Sequence, residues 1–289
     1  MTDPRIPLRL TLVAAAAALT TACTPLGLFA TLSPKDPATR VSRGEAYGEN
    51  PRQTVDVYVP RAARGAAPIA VFFYGGSWES GRRQDYNWVG RAMASRGFVT
   101  VVADYRIYPE VRYPDFLNDG AQAVRWAVDN AARLGGDPER IVLLGHSAGA
   151  YNAVMLGLDA RYLRAAGVDP TSVKAVAGLA GPYDFLPLND RTTRNTFGQA
   201  ADLTGTQPLN YVTRTSPPAF LATGDRDKTV WPKNTKTLSQ LYRDAGAVVE
   251  ERHYVGVDHV EIILALSRPL RGGAPVLDEM AAFLREHAD

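Results

Sequence analysis

The chain has 289 residues, of which 46% are hydrophobic and 21% are charged, so it is long and apolar enough to bury a large core. Its 32 Lys and Arg residues nearly balance its 30 Asp and Glu residues, which leaves a net charge of +2. This balance excludes an electrostatic basis for nucleic-acid binding. The single cysteine, Cys23, excludes an intramolecular disulfide, so the fold depends on its core.

The N-terminus has the pattern of an export signal. Arg5 and Arg9 precede an apolar run over residues 10–19, which is too short to span a bilayer as a helix. Residues 19–23 resemble a bacterial lipobox, although Thr20 stands where that motif usually has leucine. We therefore expect a signal peptide over residues 1–22 and lipidation of Cys23 as the mature N-terminus.

Two alternatives to lipidation stay open at this point, a plain cleaved signal peptide and an uncleaved anchor. Residues 23–45 contain three prolines and are expected to form a tether. The expected location is the bacterial cell envelope with a lipid anchor and membrane attachment. A secreted or periplasmic soluble protein is the alternative.

From residue 54 onward, short β-type runs alternate with longer helical patterns. Strands are predicted at 54–60, 68–74, 98–104, 140–145, 173–180, 219–224 and 248–255, and helices at 84–95, 114–133, 148–158, 233–245 and 275–287. Several strand runs are continuously apolar, as in a buried parallel sheet, whereas the first alternates, as in an antiparallel edge strand. The pattern predicts an α/β domain over residues 46–289 with a doubly wound, mostly parallel sheet.

Residues 186–215 interrupt this alternation. The segment is polar and has no clear hydrophobic period. A long connection of this kind is often a lid or a binding loop. We expect a small cap at this position, and a solvated insertion is the alternative.

Ser147 is the candidate nucleophile, at the centre of residues 145–149, GHSAG. The motif follows a predicted strand and opens a predicted helix, which is the context that G-x-S-x-G requires. Flanking glycines are expected because a side chain would clash within so tight a turn. The backbone N–H of Ala148 is then placed to bind an oxyanion at the positive end of the helix.

A second motif, residues 73–78 (FYGGSW), follows the predicted strand 68–74. With this motif the chain resembles the α/β-hydrolase carboxylesterases related to hormone-sensitive lipase and kynurenine formamidase, whose oxyanion loop reads H-G-G-G-W. Tyr74 replaces the histidine and Ser77 the third glycine. The resemblance implies that backbone N–H groups of Gly76 and Ser77 bind the oxyanion, which requires a backbone angle that serine can adopt.

The resemblance extends to residues 104–109 (DYRIYP) and 181–184 (GPYD), and it covers about residues 54–287. The family pattern G-x-x-D-x-x-V selects Asp227 as the acid, and Asp225 is the alternative.

The base follows the acid in α/β-hydrolases. His259 comes directly after the last predicted strand, at the start of a helix, and is the expected base. His253, within that strand, is the alternative.

These residues predict a serine carboxylic-ester hydrolase that acts on small or short-chain esters through an acyl-enzyme. Tyr74, Trp78 and Tyr151 are expected near the serine, either lining a substrate pocket or serving as packing. No metal or cofactor is expected, because no H-E-x-x-H motif or Cys/His cluster occurs. An amidase or aryl-formamidase, and a non-catalytic binding protein of the same fold, are the alternatives.

Overall fold

The computed structural model describes residues 25–61 and 65–289. Its central element is an eight-stranded sheet with the strand order β1-β2-β4-β3-β5-β6-β7-β8. The two pairings that involve β2 are antiparallel, and the remaining pairings are parallel. The strands are β1 (Thr39–Ala46), β2 (Thr54–Val59), β3 (Ala67–Phe73), β4 (Val99–Ala103), β5 (Gly136–His146), β6 (Val173–Leu179), β7 (Ala219–Gly224) and β8 (Val249–Tyr254).

Helices connect most of the parallel strands, as crossovers in a doubly wound fold do. They are α1 (Pro25–Leu32), α2 (Asn87–Ser95), α3 (Asp115–Asp129), α4 (Ala131–Leu134), α5 (Ala148–Leu158), α6 (Ala160–Ala165), α7 (Arg191–Phe197), α8 (Lys233–Asp244), α9 (Glu261–Leu264) and α10 (Val276–Ala288). Among the described helices, none combines the length and the apolar character needed to cross a bilayer.

The predicted fold class is confirmed. Each predicted strand is present with its ends shifted by at most four residues, and every residue of β3 is buried. The continuous apolar runs therefore do mark strands covered on both faces.

The expectation of an edge position for the first predicted strand is wrong. β2 is antiparallel, but β1 pairs along its outer side, with Thr39 opposite Val59 and Ala46 opposite Thr54. β1 was not predicted because its residues, TRVSRGEA, are mostly polar and exposed. Its partner strand, rather than its own hydrophobic pattern, determines its conformation.

The expected tether over residues 23–45 is likewise replaced by structure from residue 25 onward. α1 packs against the core through Phe29, whose ring meets the Trp88 ring edge-on at 5.6 Å, and Ala30 is buried. The chain then enters the sheet as β1, so the folded domain begins well before residue 46. The predicted signal peptide and Cys23 lie outside the described residues.

Residues 186–215 form a small cap over α5. The cap contains α7 and two 3₁₀ turns, Thr204–Thr206 and Pro208–Tyr211. Phe197 of α7 is fully buried against the Trp78 ring, with centroids 4.9 Å apart. Apolar packing of this kind fixes the cap to the sheet domain despite its polar composition.

Candidate active site

Ser147 lies in the turn between β5 and α5, with a φ of 56° and a ψ of −125°, a conformation that residues other than glycine rarely adopt. A Cβ atom on Gly145 would lie 2.1 Å from the carbonyl oxygen of Gly149, and one on Gly149 would lie 2.1 Å from that of Phe73. Glycine is therefore required at both positions by close backbone approach, as the motif predicts.

Three side chains from separate loops form a chain of hydrogen bonds. Ser147 Oγ lies 2.9 Å from His259 Nε2, and His259 Nδ1 lies 2.7 Å from Asp227 Oδ2. These residues follow β5, β8 and β7, so all three lie at the carboxyl edge of the sheet. Because Asp227 accepts a hydrogen bond from Nδ1–H, the neutral imidazole presents an unprotonated Nε2 to the hydroxyl.

Backbone groups hold the Asp227 carboxylate in place. Its side chain is fully buried, and its Oδ1 accepts hydrogen bonds from the N–H groups of Thr229 at 2.9 Å and Val230 at 2.8 Å. The other oxygen, Oδ2, faces His259. A buried carboxylate satisfied in this way keeps one fixed orientation toward the imidazole.

The alternative acid and base make other contacts. Asp225 Oδ1 accepts a hydrogen bond from the N–H of Gly256 at 2.7 Å, which fixes the loop after β8. His253 Nε2 lies 2.6 Å from Glu251 Oε1 on the same strand. Both are therefore suitable control positions for the residues in the hydrogen-bond chain.

His146, next to Ser147, has a role that the sequence did not reveal. Its Nε2 lies 2.8 Å from the backbone carbonyl oxygen of His259, so Nε2 carries the proton. Its Nδ1 is buried without a hydrogen-bond partner among the described residues. Burial, followed by the proximity of His259, lowers the pKa of His146 to about 3. A neutral His146 thus ties the backbone of His259 to the turn that carries Ser147.

The loop after β3 approaches the same site in left-handed conformations. Gly76 has a φ of 132°, Ser77 of 58° and Trp78 of 55°. Ser77 therefore does adopt a left-handed angle, at a cost on the order of 1 kcal/mol. Ser77 and Ala148 line the cavity at Ser147, and no hydrogen bond within the described chain uses their N–H groups. Gly76 stands one residue back, and its carbonyl accepts from the N–H groups at positions 79 and 80.

The segment after β4 supports this loop. The Tyr105 hydroxyl donates to the Tyr74 carbonyl oxygen at 2.7 Å, and the Tyr108 N–H donates to the Trp78 carbonyl oxygen at 2.8 Å. Asp104 Oδ1 accepts a hydrogen bond from the Tyr74 hydroxyl at 2.7 Å. The loop is therefore held from both its backbone and its side chains.

Two of the three expected substrate-binding aromatics do not line the cavity, and that expectation is corrected. Tyr74 is fully buried between the rings of Tyr86 and Tyr105, which stack on it at 5.4 and 4.9 Å. Tyr151 is also fully buried, and its hydroxyl donates to the Thr206 carbonyl of the cap at 2.7 Å. Both hydroxyls are used by internal hydrogen bonds, so these residues serve as packing. Trp78 does line the cavity.

The cavity above Ser147 has a volume of about 380 Å³. Its further lining comes from the cap, the segment before it and the loop after β7. These lining residues include Pro182, Asp184, Phe185, Leu186, Pro187, Asn189, Asp190, Thr192, Thr193, Thr229, Val230, Trp231, Lys233 and Asn234. In the sequence, these lining residues were indicated only by the GPYD motif and by the interrupted alternation of strands and helices over residues 186–215.

Asp190 shows how the cap is organised. It caps the N-terminus of α7, where its Oδ1 accepts from the Thr193 N–H at 2.8 Å and its Oδ2 from the Thr193 hydroxyl at 2.6 Å. Burial acts to raise the pKa of Asp190, but these hydrogen bonds outweigh it and the pKa is lowered. Asp190 therefore shapes the cap.

No cluster of three or more His, Cys, Asp or Glu suited to a metal ion occurs in residues 25–61 or 65–289.

Comparison with known families identifies the family to which this chain belongs. The BD-FAE family model matches residues 55–242, well over half of the chain. This chain belongs to the BD-FAE family. The BD-FAE match includes Ser147 and Asp227 and ends before the loop that carries His259. The α/β-hydrolase resemblance inferred from the motifs is thereby confirmed.

Relatives of this BD-FAE chain bear esterase names. It is 29% identical over 255 residues to isoprenylcysteine alpha-carbonyl methylesterase of Arabidopsis thaliana, a match that covers 81% of this chain and 59% of the relative. It is 33% identical over 220 residues to esterase LipC of Mycobacterium tuberculosis, with 68% and 54% covered. The chain thus spans little more than half of the length of these curated relatives.

A solved structure shows the same fold. A truncated carbohydrate esterase from gut microbiota superposes with a TM-score of 0.75 over 89% of this chain and 98% of its own, at 20% sequence identity. The superposition shows that the two proteins share a fold. Because their sequence identity is low, the substrate of this chain has to be argued from its own site.

Proposed function

We propose that this protein is a serine carboxylesterase that hydrolyses compact carboxylic esters through an acyl-enzyme on Ser147. The observation that carries the proposal is the unbroken hydrogen-bond chain from Ser147 Oγ through His259 to Asp227. Esterase names among the relatives support the same reaction class.

The acylation step follows from this arrangement. As Ser147 Oγ attacks the ester carbonyl, His259 Nε2 takes the hydroxyl proton and Asp227 stabilises the imidazolium without taking a proton. The carbonyl oxygen becomes an oxyanion, for which the N–H groups of Ser77 and Ala148 are free donors, with Gly76 as a further candidate. The tetrahedral intermediate then expels the alcohol, which receives the proton from His259.

Deacylation reverses the roles. His259 removes a proton from a water molecule, which attacks the acyl carbon of the ester on Ser147. The second tetrahedral intermediate collapses, the carboxylic acid leaves, and Ser147 Oγ regains its proton from His259. No group other than water is consumed in this step.

The cavity supports a preference for compact substrates. Its volume of about 380 Å³ is near the lower end of small-molecule sites. Trp78 and Phe185 give it an apolar wall, whereas Asp184, Asn189 and Lys233 give it a polar one. An acyl group of a few carbons fits the apolar wall, and a polar alcohol group fits the other.

A graded ester panel tests the proposal. p-Nitrophenyl acetate, butyrate and octanoate are compared on the intact protein and on Ser147→Ala, with circular dichroism to verify the fold. We expect kcat/KM to fall from butyrate to octanoate, and the alanine variant to lose at least about 10⁴-fold in turnover. Undiminished hydrolysis by a folded Ser147→Ala variant would refute the proposal.

The same panel separates the two rival functions. N-Formylkynurenine reports an amidase or aryl-formamidase activity, which uses the same three side chains. Preferential turnover of this amide over the short esters would assign the chain to that class. A folded protein that turns over neither substrate class would instead be a binding protein.

For the location, we propose export to the cell envelope with Cys23 as the lipidated N-terminus. The support is the order of Arg5, Arg9, the apolar run over residues 10–19 and a lone thiol that follows. Incorporation of labelled fatty acid into the expressed protein, lost in Cys23→Ala, is the expected result. Labelling that persists in that variant would contradict the assignment.

A further inference from the structure

α1 carries apolar side chains on both of its faces. Phe29 and Ala30 face the core, but Leu28 and Leu32, one helical turn apart, are 51% and 72% exposed. A surface helix of a globular domain normally turns polar residues outward. Thr31 is also exposed, but its hydroxyl donates to the Gly27 carbonyl oxygen at 2.8 Å, so the exposed side of α1 is mostly apolar.

A group of cations adjoins this helix. Lys35, Arg61, Arg91 and Arg268 line an open cavity of about 590 Å³ beside Asp36. The Asp36 carboxylate is already paired with Arg271, at 2.6 and 2.9 Å. The cavity therefore carries an excess of positive charge.

Lys35 connects the cavity with α1, and Arg91 connects it with the segment that follows the helix. Lys35 Nζ donates to the carbonyl oxygens of Thr31 and Ser33, both at 3.2 Å, at the C-terminal end of the helix. Arg91 donates to the Ala38 carbonyl oxygen at 2.6 Å. Burial, followed by the nearby Arg91 charge, lowers the pKa of Lys35. The two leucines and the four cations together are called the basic face.

We propose that the basic face binds the surface of an anionic lipid bilayer. Leu28 and Leu32 enter the boundary between headgroups and acyl chains, and the four cations meet lipid phosphates. This combination of exposed apolar residues with flanking Lys and Arg is how peripheral proteins bind such surfaces. The cavity at Ser147 shares no lining residue with the basic face, so the proposal is independent of the catalytic one.

The sequence before α1 favours a bilayer over other occupants. α1 begins two residues after Cys23, and an apolar run over residues 10–19 precedes it. Whatever fate this leader has, α1 and Lys35 are the part of the basic face that follows it directly in the chain. Charge complementarity then selects a surface rich in phosphate over a second copy of this chain, whose basic face would repel the first.

Vesicle co-sedimentation tests the proposal on the full chain. All samples carry Cys23→Ser, which removes the only thiol, so acylation cannot contribute. Vesicles of phosphatidylcholine alone are compared with vesicles containing 30% phosphatidylglycerol by mole. The N-terminal leader contributes equally to every variant, so the readout is the ratio of the two partition coefficients.

Charge variants give the main result. Arg61→Gln with Arg268→Gln should lower partition onto anionic vesicles by about 25-fold, since each cation near such a surface contributes about a fivefold factor. Partition onto neutral vesicles should not change. The matched control, Arg164→Gln with Arg214→Gln, alters the net charge equally at exposed positions outside the cavity and should retain anionic binding.

Apolar variants give the second result. Leu32→Gln should weaken partition onto both vesicle types several-fold, whereas Val248→Gln, at a residue 51% exposed elsewhere, should not. If both pairs of charge variants lost the same amount of partition onto anionic vesicles, net charge alone would explain the binding and the proposal would be overturned. Unchanged partition in every variant would also overturn it, as would a Leu32→Gln effect seen only as loss of a dimer by analytical ultracentrifugation. Melting temperatures verify that each variant is folded.

Discussion

The two sides of the cavity at Ser147 are held in different ways. On the strand side, the buried Asp227 carboxylate takes two backbone hydrogen bonds, and the His259 backbone is held by His146. On the cap side, Asp190 is exposed and is bonded to its own helix terminus.

This difference separates two tasks. In the proposed mechanism, proton transfer depends on distances of about 3 Å between reacting atoms, which suits groups that are fixed by backbone contacts. Choice of substrate depends on a wall that can change without moving those atoms. Substitutions on the strand side should therefore reduce kcat strongly, and those on the cap side should alter KM modestly.

The largest expected effect is at His259. His259→Ala removes the proposed acceptor of the Ser147 proton, so kcat for p-nitrophenyl acetate should fall on the order of 10⁵-fold or more. Steady-state kinetics on the folded variant measures it. His253→Ala, on β8, is the matched control and should retain activity within about threefold. Similar losses in both variants would break the assignment of the base.

The next effect in size is at Asp227. Asp227→Asn keeps the carbonyl that accepts the backbone hydrogen bonds but cannot accept from His259 Nδ1–H, so the imidazole adopts the wrong tautomer. A loss in kcat of roughly 10⁴-fold is expected.

Asp225→Asn is the control for the acid, since its remaining oxygen still accepts from the Gly256 N–H. Its activity should be close to that of the unchanged protein. A reversed order, with position 225 the more sensitive, would assign the acid to the other aspartate.

A smaller effect is expected at His146, which acts through His259 as a positioning residue. His146→Ala deletes one hydrogen bond to the His259 carbonyl and should lower kcat roughly tenfold, with KM nearly unchanged. His146→Gln, whose amide can donate to the same carbonyl, should recover most of the loss. Equal defects in both variants would indicate a packing role only.

His146 also predicts a pH dependence of stability. Its pKa is lowered to about 3 in the fold, against about 6.5 when unfolded. Between these values the unfolded chain binds a proton that the folded chain does not, so stability falls as pH drops from 6.5 toward 3.

Denaturant titrations at pH 4 to 6 measure this dependence. Relative to His146→Gln, the unchanged protein should show a steeper rise in unfolding free energy with pH, by up to about 1.4 kcal/mol per pH unit. Parallel curves for the two proteins would show that His146 does not become neutral on folding.

The smallest effect is expected at Trp231, which lies in the loop after β7 and is 63% exposed at the cavity wall. Trp231→Ala removes an exposed aromatic wall and should raise KM for aryl esters roughly threefold, with kcat within about twofold. Initial-rate kinetics with phenyl and methyl acetate measures the change. A kcat loss as large as that at His146 would erase the contrast between the fixed side chains of the hydrogen-bond chain and the wall of the cavity.

Sequence reasoning was most successful where short-range chemistry determines the outcome. The turn at Ser147 needs glycines on both sides, and the parallel strands need continuous apolar runs, so both can be recognised locally. Chain order then placed Asp227 and His259 at the same edge of the sheet.

Sequence reasoning was least successful where contacts between distant segments of the chain determine the structure. β1 is polar and acquires its conformation from pairing with β2, and Tyr151 is removed from the cavity by a bond to the cap. The contact between His146 and the His259 carbonyl joins residues 113 positions apart. No local pattern reports such pairings.

Labelling with a fluorophosphonate, followed by peptide mass spectrometry, tests the central claim most directly. We predict one adduct, on the peptide that contains Ser147, formed by the folded protein and abolished by urea. His259→Ala should slow its formation by several orders of magnitude. A folded protein that forms no adduct, or one modified at another serine such as Ser77, would contradict the account.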